Sequence, residues 1–514
     1  MSPDRRTALA AQADVHRSPL RARRLGIHTH DQAVVFMRTD CHVCRLEGLT
    51  PHSRVLLSAD DRETIATLYQ VSNGLVGVDE AGLSEAAWAH LGLSDGDPLF
   101  ARHPDPVLSL SRVRRRIYGT RLDEADLRSI MSDVVKGLYS DVHLSAFITA
   151  GAAVPLDREE TVALTRAMVE VGERLTWSNG PVLDKHSVGG LPGNRTTPIV
   201  VSIIAANGLT MPKTSSRAIT SPAGTADTME TLAPVDLDLP AIRRVVEREC
   251  GCIVWGGAVR LSPADDVLIR IERALDIDSE GQLVASVLSK KIAAGSTSLI
   301  LDVPVGPTAK VRSPEAAQVL SHTLSSVAGI FGLRTTIVLS DGSQPVGRGI
   351  GPALEARDVL AVLRQAPDAP PDLQQRACKL AGALLELGGK ALQGQGETLA
   401  LETLKTGRAW DKFQRICEAQ GGMRTPPEAG QRHPLPAPAK GRVSSIDNRK
   451  IARLAKLAGA PEAKAAGVEM HVRLGDIVAA GQPVCTLHAE TSGELDYALD
   501  YAAATNDIVS IEPQ

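Results

Sequence analysis

The feature that most constrains this 514-residue chain is a run, residues 182–228, that contains two polar loops rich in glycine, serine and threonine. The loops span residues 184–197 and 213–225, and an apolar segment, residues 199–206, separates them. This order predicts that each loop leads into a helix. Helix N-termini present free N–H groups and the positive end of the helix dipole, so the run predicts a binding site for an anion.

Local signals predict where the two helices begin and end. Thr197 precedes Pro198, and a threonine hydroxyl can cap a helix while a proline in the first turn loses no N–H that the helix needs. Gly208 suits the left-handed residue that closes such a helix. The second helix is predicted to begin near Thr225.

The cationic side chains of this run favour phosphate as the simplest anion. They are Lys185, Arg195, Lys213 and Arg217. The run lacks the Walker pattern G-x-x-x-x-G-K-[ST], and its first loop lacks the dinucleotide pattern G-x-G-x-x-G. The loops therefore either anchor a phosphorylated ligand or hold inorganic phosphate as a nucleophile that faces an electrophilic carbon.

The second possibility requires an acid that protonates the leaving group. His186 lies beside the predicted phosphate ligands, and Asp278 lies just ahead of a predicted helix that carries Ser286 and Lys290. Both side chains are candidate acids, and the residues alone leave the choice between them open.

Composition excludes several classes of partner. A net charge of −4 and an aromatic content of 3% give no support for nucleic acid as a partner. No apolar run approaches the roughly 20 residues that a membrane span needs, and the N-terminus has no apolar signal core. We therefore expect a cytoplasmic protein with small-molecule partners, without nucleic acid and without a membrane.

Cysteine usage gives one weak signal for a metal. The chain has seven cysteines, and Cys41-His42-Val43-Cys44 forms a C-x-x-C pattern. A structural zinc site would need a second ligand pair at a suitable spacing. The sequence therefore favours incidental thiols over zinc.

Changes in composition and hydrophobic pattern divide the first four-fifths of the chain into three parts. Residues 1–104 predict a β-rich N-terminal extension, because short runs of β-branched and apolar residues alternate with turns. Residues 105–178 predict a helical domain. Residues 179–424 predict a phosphate-binding α/β domain that includes part of the helical domain, and its alternating strands and helices favour a largely parallel sheet covered on both sides.

The rest of the chain predicts a linker and a small module. Residues 425–440 contain five prolines and predict a Pro-rich linker. Residues 441–514 predict a C-terminal α/β module, with a β-hairpin within residues 468–484.

Three motifs resemble the thymidine/pyrimidine-nucleoside phosphorylases. They are DKHSVGG at residues 184–190, the second loop at 213–225, and ASVLSKK at 285–291, which is similar to the base-recognising helix of that family. The sequences PGNRTT and KTSSRAITSPAGTADTME are more similar to a long branch of the superfamily. That branch contains AMP phosphorylases of archaea and bacterial proteins named as thymidine phosphorylases. The resemblance covers the chain from about residue 20 onward.

The resemblance implies a multidomain α/β fold. It comprises a helical domain, an α/β domain with a mixed sheet, a small C-terminal α/β module and the β-rich N-terminal extension. It also implies a cleft that closes by a hinge motion, and a homodimer or a higher homo-oligomer formed through the helical domain.

The resemblance also implies roles for individual residues. The implied phosphate ligands are Lys185, Ser187, Thr197, Ser215 and Thr225. The implied nucleoside or nucleotide ligands are Gly190, Ser216, Arg217, Ala218, Ile219, Thr220, Ser221, Ser286, Lys290 and Lys310. Asp278 resembles a proton donor, and His186 resembles a residue that faces the pyrimidine carbonyl.

The implied reaction is phosphorolysis of thymidine, in which phosphate attacks the anomeric carbon with inversion and yields thymine and 2-deoxy-α-D-ribose 1-phosphate. Inorganic phosphate is a co-substrate, and no metal or organic cofactor is required. The alternative substrate is AMP or another nucleoside 5′-monophosphate, which would need a second anion site at Lys310, Arg217 or Arg195. Ile271-Glu272 stand where short-branch enzymes have an Arg-Asp pair, so the identity of the base stays open.

Overall fold

A computed structural model describes residues 19–29, 32–72, 74–177, 180–218, 221–277 and 279–513. The chain divides into two compact units, residues 1–118 with 132–147, and residues 119–131 with 148–514. Within the described ranges, no helix is both long and apolar enough to cross a membrane.

The first unit contains a closed six-stranded β-barrel with the strand order β1-β5-β2-β4-β3-β6. The strands are β1 (Leu20–Arg24), β2 (Val34–Arg38), β3 (Arg54–Ala59), β4 (Arg62–Val71), β5 (Glu80–Leu83) and β6 (Pro98–Arg102). The helices are α1 (His42–Glu47), α2 (Glu85–Leu91) and α3 (Leu110–Ile117). Alternate strand residues fill the barrel. Cys41 and Cys44 are buried in this apolar core, as incidental thiols would be.

Three helices follow the barrel: α4 (Glu124–Val135), α5 (Asp141–Ala153) and α6 (Arg158–Glu170). The boundary between the two units crosses α4 and α5. Asp157 and Glu160 form a capping box that starts α6, because each side chain accepts a hydrogen bond from the backbone N–H of the other.

The second unit contains parallel strands that place the predicted loops at one edge. The strands are β7 (Leu183–Ser187), β8 (Met211–Ser215), β9 (Gly251–Trp255), β10 (Ser298–Val305) and β11 (Arg334–Asp341). They pair in parallel in the orders β11-β10-β7 and β8-β9, and a parallel bridge between Val182 and Thr210 connects the two groups. Ligands of parallel α/β sheets bind beyond the carboxyl ends of the strands, so this edge is the expected position of a ligand site.

Helices cover these strands. They are α7 (Thr197–Ala206), α8 (Thr225–Glu230), α9 (Leu239–Glu249), α10 (Pro263–Leu275), α11 (Glu280–Ala293), α12 (Pro314–Ile330), α13 (Pro352–Leu363), α14 (Pro371–Leu387), α15 (Gly396–Lys405) and α16 (Arg408–Ala419). Helix α7 is buried almost throughout, and its apolar side chains join the largest core of the unit.

The C-terminal part adds two small antiparallel sheets, with the orders β12-β15-β17-β13 and β16-β14-β18. The strands are β12 (Gly349–Ile350), β13 (Gln431–Pro436), β14 (Gly441–Ile446), β15 (Gly467–Met470), β16 (Ile477–Val478), β17 (Pro483–Ala489) and β18 (Val509–Pro513). The helices are α17 (Asn448–Leu457) and α18 (Ser492–Ala504). The unit therefore combines parallel and antiparallel pairing, and the predicted multidomain α/β fold class is confirmed.

Three local predictions differ from the structure. The segment predicted as a linker, residues 425–440, includes β13, which tolerates its prolines because it lies at the edge of a sheet. The hairpin predicted within residues 468–484 is wrong, because β15 pairs with β17 whereas β16 pairs with β14. The predicted threonine cap of α7 is also wrong: the N-cap residue is Thr196, and its hydroxyl makes no capping bond.

Candidate functional site

The candidate site begins with β7, which carries Asp184, Lys185, His186 and Ser187 in consecutive positions. In the parallel register with β10, Ser187 lies opposite Asp302. Asp184, Lys185 and Ser187 each have a polar partner on a neighbouring element, which allows these side chains to occupy a largely buried strand.

Lys185 is buried, and its Nζ donates a hydrogen bond to Oγ1 of Thr196 at 2.6 Å. This bond uses the hydroxyl of the residue that stands at the N-cap of α7. Burial lowers the pKa of Lys185 to about 8, and the carboxylate of Asp302 partly opposes that fall. The ammonium group therefore lies at the N-terminus of α7, where an anion would restore its usual basicity.

Two further buried lysines, Lys213 and Lys291, pair with the same carboxylate, that of Asp184. Nζ of Lys291 lies 2.8 Å from Oδ2 of Asp184, and Nζ of Lys213 lies 3.3 Å from Oδ1. Burial works to raise the pKa of Asp184, but the two lysines together lower it. Burial also lowers the pKa of Lys213, against the opposing effect of Asp184. The cluster holds two cations for one anion, which favours an additional anionic ligand.

Ser215 ends β8 with a buried hydroxyl. Among the described residues, no group makes a hydrogen bond to its Oγ. A buried hydroxyl without a partner is uncommon, and here it lies at the edge where a ligand of this sheet would bind. Ser215 is therefore available to a phosphate oxygen.

Ser187 differs in this respect. Its hydroxyl donates to Oδ2 of Asp302 at 2.8 Å and accepts from Nδ2 of Asn194 at 3.1 Å. Asp302 also accepts from the hydroxyl of Ser340 at 2.5 Å, and Arg376 lies 3.9 Å from its Oδ1. Because a serine has one O–H donor, a phosphate would compete with Asp302 for that of Ser187.

His186 follows Lys185 on β7, and its side chain is half-buried. Burial and four positive charges hold the pKa of His186 well below its usual range. The charges belong to Lys185, Lys213, Lys290 and Lys291. The imidazole is therefore neutral near pH 7, and the four lysines are close enough to act on one ring.

The second loop is held by Asp227, the third residue of α8. Its Oδ2 accepts from the backbone N–H groups of Ala218 at 2.6 Å and Gly224 at 2.9 Å. A Cβ at Gly224 would lie 2.5 Å from the carbonyl oxygen of Ser216, so this close approach needs glycine. Asp227 consequently connects Ala218 with Gly224, and the Ser221 hydroxyl donates a hydrogen bond to the carbonyl of Ala223 at 2.9 Å.

Two arginines of the run are committed to contacts within the protein. Arg217 donates twice to Glu230 at 2.9 Å, and its guanidinium lies 4.9 Å from the ring centroid of Trp255. Arg195 donates to Glu355 and to Oγ1 of Thr225, both at 2.6 Å. These contacts weaken the case for either arginine as the second anion site.

Gly190 and Lys310, two predicted nucleotide ligands, lie next to each other. Gly190 has a φ of +78°, and a Cβ on it would lie 2.6 Å from the backbone nitrogen of Lys310. The side chain of Lys310 is exposed. An anion that reaches beyond the first loop would meet this lysine first.

Ser286 and Lys290 lie one turn apart on α11, and both are half-buried. Nζ of Lys290 forms an ion pair with Asp265. Burial works to lower the pKa of Lys290, but Asp265 raises it above the ordinary value. Ser262 is the N-cap residue of α10, so Asp265 lies inside that helix, where it keeps Lys290 charged.

The remaining predicted site residues divide into two groups. Thr197 is buried in the first turn of α7, close to the Lys185 bond. Asp278, Ile219 and Thr220 lie outside the described residues.

Sequence reasoning missed Asp302 and the role of Asp184. Asp302 is the one charged residue in the strand SLILDVPV, and a carboxylate in a fully buried strand must have partners. Asp184 precedes Lys185 in the motif, but its pairing with Lys213 and Lys291 follows only from the sheet. A search for single carboxylates in apolar strands would have found Asp302.

Comparisons with known families agree with this arrangement. "Glycosyl transferase family, a/b domain" matches residues 179–410, and "Glycosyl transferase family, helical bundle domain" matches residues 111–172. "Pyrimidine nucleoside phosphorylase C-terminal domain" matches residues 442–509.

Similar proteins extend over nearly the whole chain. A protein of Chelativorans sp. strain BNC1 is 64% identical over 507 residues, which is 98% of this chain and all of that protein. A protein of Tolumonas auensis is 63% identical over 96% of this chain and 98% of its own length. Both carry the name "Putative thymidine phosphorylase".

A solved structure has a similar fold. Anthranilate phosphoribosyltransferase from Thermus thermophilus matches with a TM-score of 0.51 at 21% identity, over 60% of this chain and 98% of its own.

Proposed function

This chain belongs to the thymidine/pyrimidine-nucleoside phosphorylase superfamily, and we propose that its substrates are thymidine and inorganic phosphate. The chain is a pentosyltransferase that acts on small molecules. The proposed products are thymine and 2-deoxy-α-D-ribose 1-phosphate. The observation that carries the proposal is the sharing of the Asp184 carboxylate by Lys213 and Lys291, since it joins the two phosphate loops to the base-binding helix.

In the proposed mechanism, Lys185 and Ser215 bind phosphate at the carboxyl edge of the sheet, and Lys213 supplies further positive charge. One phosphate oxygen attacks the anomeric carbon on the face opposite the base, and the glycosidic bond breaks. The transition state has oxocarbenium character, so the phosphate dianion stabilises it while acting as the nucleophile. Ser286 and Lys290 hold the base. The mechanism uses no metal and no organic cofactor.

The departing base needs a proton, and we assign this proton to Asp278. The low pKa of His186 supports the choice, because a neutral imidazole is a poor acid near pH 7. His186 instead faces the pyrimidine carbonyl and donates a hydrogen bond to it.

A second candidate is phosphorolysis of AMP to adenine and ribose 1,5-bisphosphate. The exposed Lys310 beside Gly190 favours it, since a 5′-phosphate needs a cation outside the phosphate loops. The internal contacts of Arg195 and Arg217 weaken the case for either arginine in that role, whereas Lys310 is exposed.

The proposal includes a homodimer. Several large apolar side chains of the first unit are exposed, which supports a protein interface there. They are Leu108, Ile117, Tyr118 and Val142.

Phosphate-dependent release of base from thymidine, uridine, adenosine, AMP and CMP tests the function. We expect thymidine to be cleaved fastest and release to stop when phosphate is omitted. Cleavage of AMP without cleavage of thymidine would replace the first candidate by the second. Release that does not depend on phosphate, or no release at all, would contradict both.

The Asp227→Asn variant tests the role of the second loop. An amide oxygen can accept from both backbone N–H groups, but an amide cannot also form the ion pair with Arg217, so the connection between Ala218 and Gly224 should weaken. We expect the KM for the nucleoside to rise about tenfold, with a smaller change in the KM for phosphate. Asp157→Asn makes the same change at the cap of α6 and should leave both constants near wild type. Equal KM values in the Asp227 variant and wild type would show that the loop does not contact the nucleoside.

A further inference from the structure

One buried side chain of α11 has no role in the site described above. Gln282 is 4% exposed, and neither its Nε2 nor its Oε1 has a hydrogen-bond partner among the described residues. A carboxamide can donate two hydrogen bonds and accept two, so leaving it without partners in the interior is costly. Native proteins rarely tolerate such a group without a reason.

A second buried glutamine shows how this chain satisfies a structural amide. Gln420 is 5% exposed. Its Oε1 accepts from the backbone N–H of Ile253 at 2.8 Å, and its Nε2 donates to the carbonyls of Pro234 at 2.8 Å and Ile253 at 3.0 Å. Gln420 therefore connects two elements of the fold, whereas Gln282 connects none by hydrogen bonds to the described residues.

The position of Gln282 on its helix indicates what it faces. Ser286 lies four residues later and Lys290 eight residues later, so the three side chains lie within about 80° of one another around the helix axis. Leu283, Ser286 and Lys290 are half-buried, and Gln282 borders this more open face. The amide lies near Gly151 of α5, where an added Cβ would lie 3.7 Å from the amide carbon and nitrogen. A helical glycine offers the amide neither a side chain nor a free backbone group.

We propose that Gln282 is a base-recognising residue, which hydrogen-bonds the edge of the substrate's base beside Ser286 and Lys290. This inference rests on the proposed function, and it names the part of the substrate that Gln282 binds, which is the edge of the base. A carboxamide pairs with a base edge that presents a donor next to an acceptor, such as N3–H with the neighbouring carbonyl of thymine or uracil. After a rotation of its amide by 180°, the side chain also accepts a hydrogen bond from an amino group. Gln282 therefore requires a base with a polar edge.

Substitution by glutamate gives the sharpest test, because a carboxylate accepts hydrogen bonds and donates none. It still accepts from the donor of the base edge, which is N3–H in uracil and the amino group in cytosine, but it repels the neighbouring acceptor, which is O4 or N3. We expect kcat/KM for uridine and for cytidine each to fall at least tenfold in Gln282→Glu, mainly through KM. Gln282→Met removes both hydrogen bonds and should lower kcat/KM for thymidine about tenfold to a hundredfold, mainly through KM.

Controls separate recognition from a structural role. Gln420→Glu places the same carboxylate at the structural glutamine and should lower stability while leaving the KM for uridine at the wild-type value. If Gln282→Glu and Gln282→Met change only stability and leave the KM values unchanged, Gln282 is not a base ligand.

Direct binding of the free bases keeps the test independent of turnover. Calorimetry with thymine and uracil should show affinity at least tenfold weaker in Gln282→Met than in wild type. An absence of phosphate-dependent cleavage by wild type would contradict the proposed function, whereas equal base affinity in the two proteins would contradict the role of Gln282.

Discussion

Replacement of Lys185 by methionine is expected to lower kcat/KM for phosphate by about 10²–10³-fold, because a preorganised cation at the nucleophile contributes on this scale. The same substitution should not lower stability. Burial reduces the pKa of Lys185 from 10.5 to about 8, which corresponds to a cost of about 3 kcal/mol for keeping this lysine charged at neutral pH. Methionine removes that cost, so the variant should unfold at an equal or higher urea concentration.

The pH dependence gives a second readout for Lys185. In wild type, the KM for phosphate should rise as the pH passes about 8, because the lysine loses the proton that phosphate needs. In Lys185→Met the rise near pH 8 should disappear, and a dependence due to Lys213, whose pKa burial lowers to about 7, should remain.

Lys412 provides a matched control for Lys185. It is also a buried lysine, but its Nζ lies 3.0 Å from Glu249 in an ion pair between α16 and α9. Lys412→Met should lower stability and leave the phosphate kinetics unchanged, the reverse of the pattern expected for Lys185. Near-normal phosphate kinetics in Lys185→Met would remove this lysine from the site.

Local sequence signals were sufficient to predict the helices and strands that carry the residues of the site. Helix α7 follows from one proline and an apolar run, α8 begins at Thr225 as predicted, and β10 follows from eight mostly apolar residues. The family resemblance is confirmed, and it implied the helical, α/β and C-terminal domain types. These features depend on short-range propensities or on motifs that can be read in one stretch.

The partners of the charged side chains could not be predicted in this way. Ser187 and Asp302 are 115 residues apart, and only the parallel register of β7 and β10 brings them together. Lys290 and Asp265 lie on different helices, α11 and α10, and helical periodicity does not specify their pairing. For the same reason the strand pairing of the C-terminal module was wrong: turn residues predict a hairpin, but distant strands decide the pairing.

Replacement of Asp184 by asparagine is expected to shift the pH dependence of phosphate binding to lower pH. Its carboxylate lies 3.3 Å from Lys213 and 2.8 Å from Lys291, and it raises the pKa of Lys213 against the effect of burial. Without it, the pKa of Lys213 should fall further, so the KM for phosphate should begin to rise at a pH below the value observed for wild type. At neutral pH we expect a KM at least about tenfold higher, with partial recovery as the pH is lowered and Lys213 regains its proton.

The free energy of unfolding should depend on pH in a definite direction. The folded chain lowers the pKa of Asp184, so its contribution is present above the unfolded pKa of about 3.9 and is lost as the pH falls through the folded value. Near pH 7, loss of the shared carboxylate should cost about 3–5 kcal/mol of unfolding free energy in urea titrations, reduced to the extent that a lysine releases its proton.

Glu249→Gln is the matched control for Asp184→Asn, since Glu249 is a buried carboxylate that lies near three cations away from the phosphate loops. The cations are Arg248, Lys412 and Arg415. The control should lose stability on a similar scale while its KM for phosphate keeps the wild-type pH profile. A profile in Asp184→Asn that also matches wild type would show that the Asp184 cluster supports the fold alone, and phosphate binding would then depend on Lys185 and the helix N-termini.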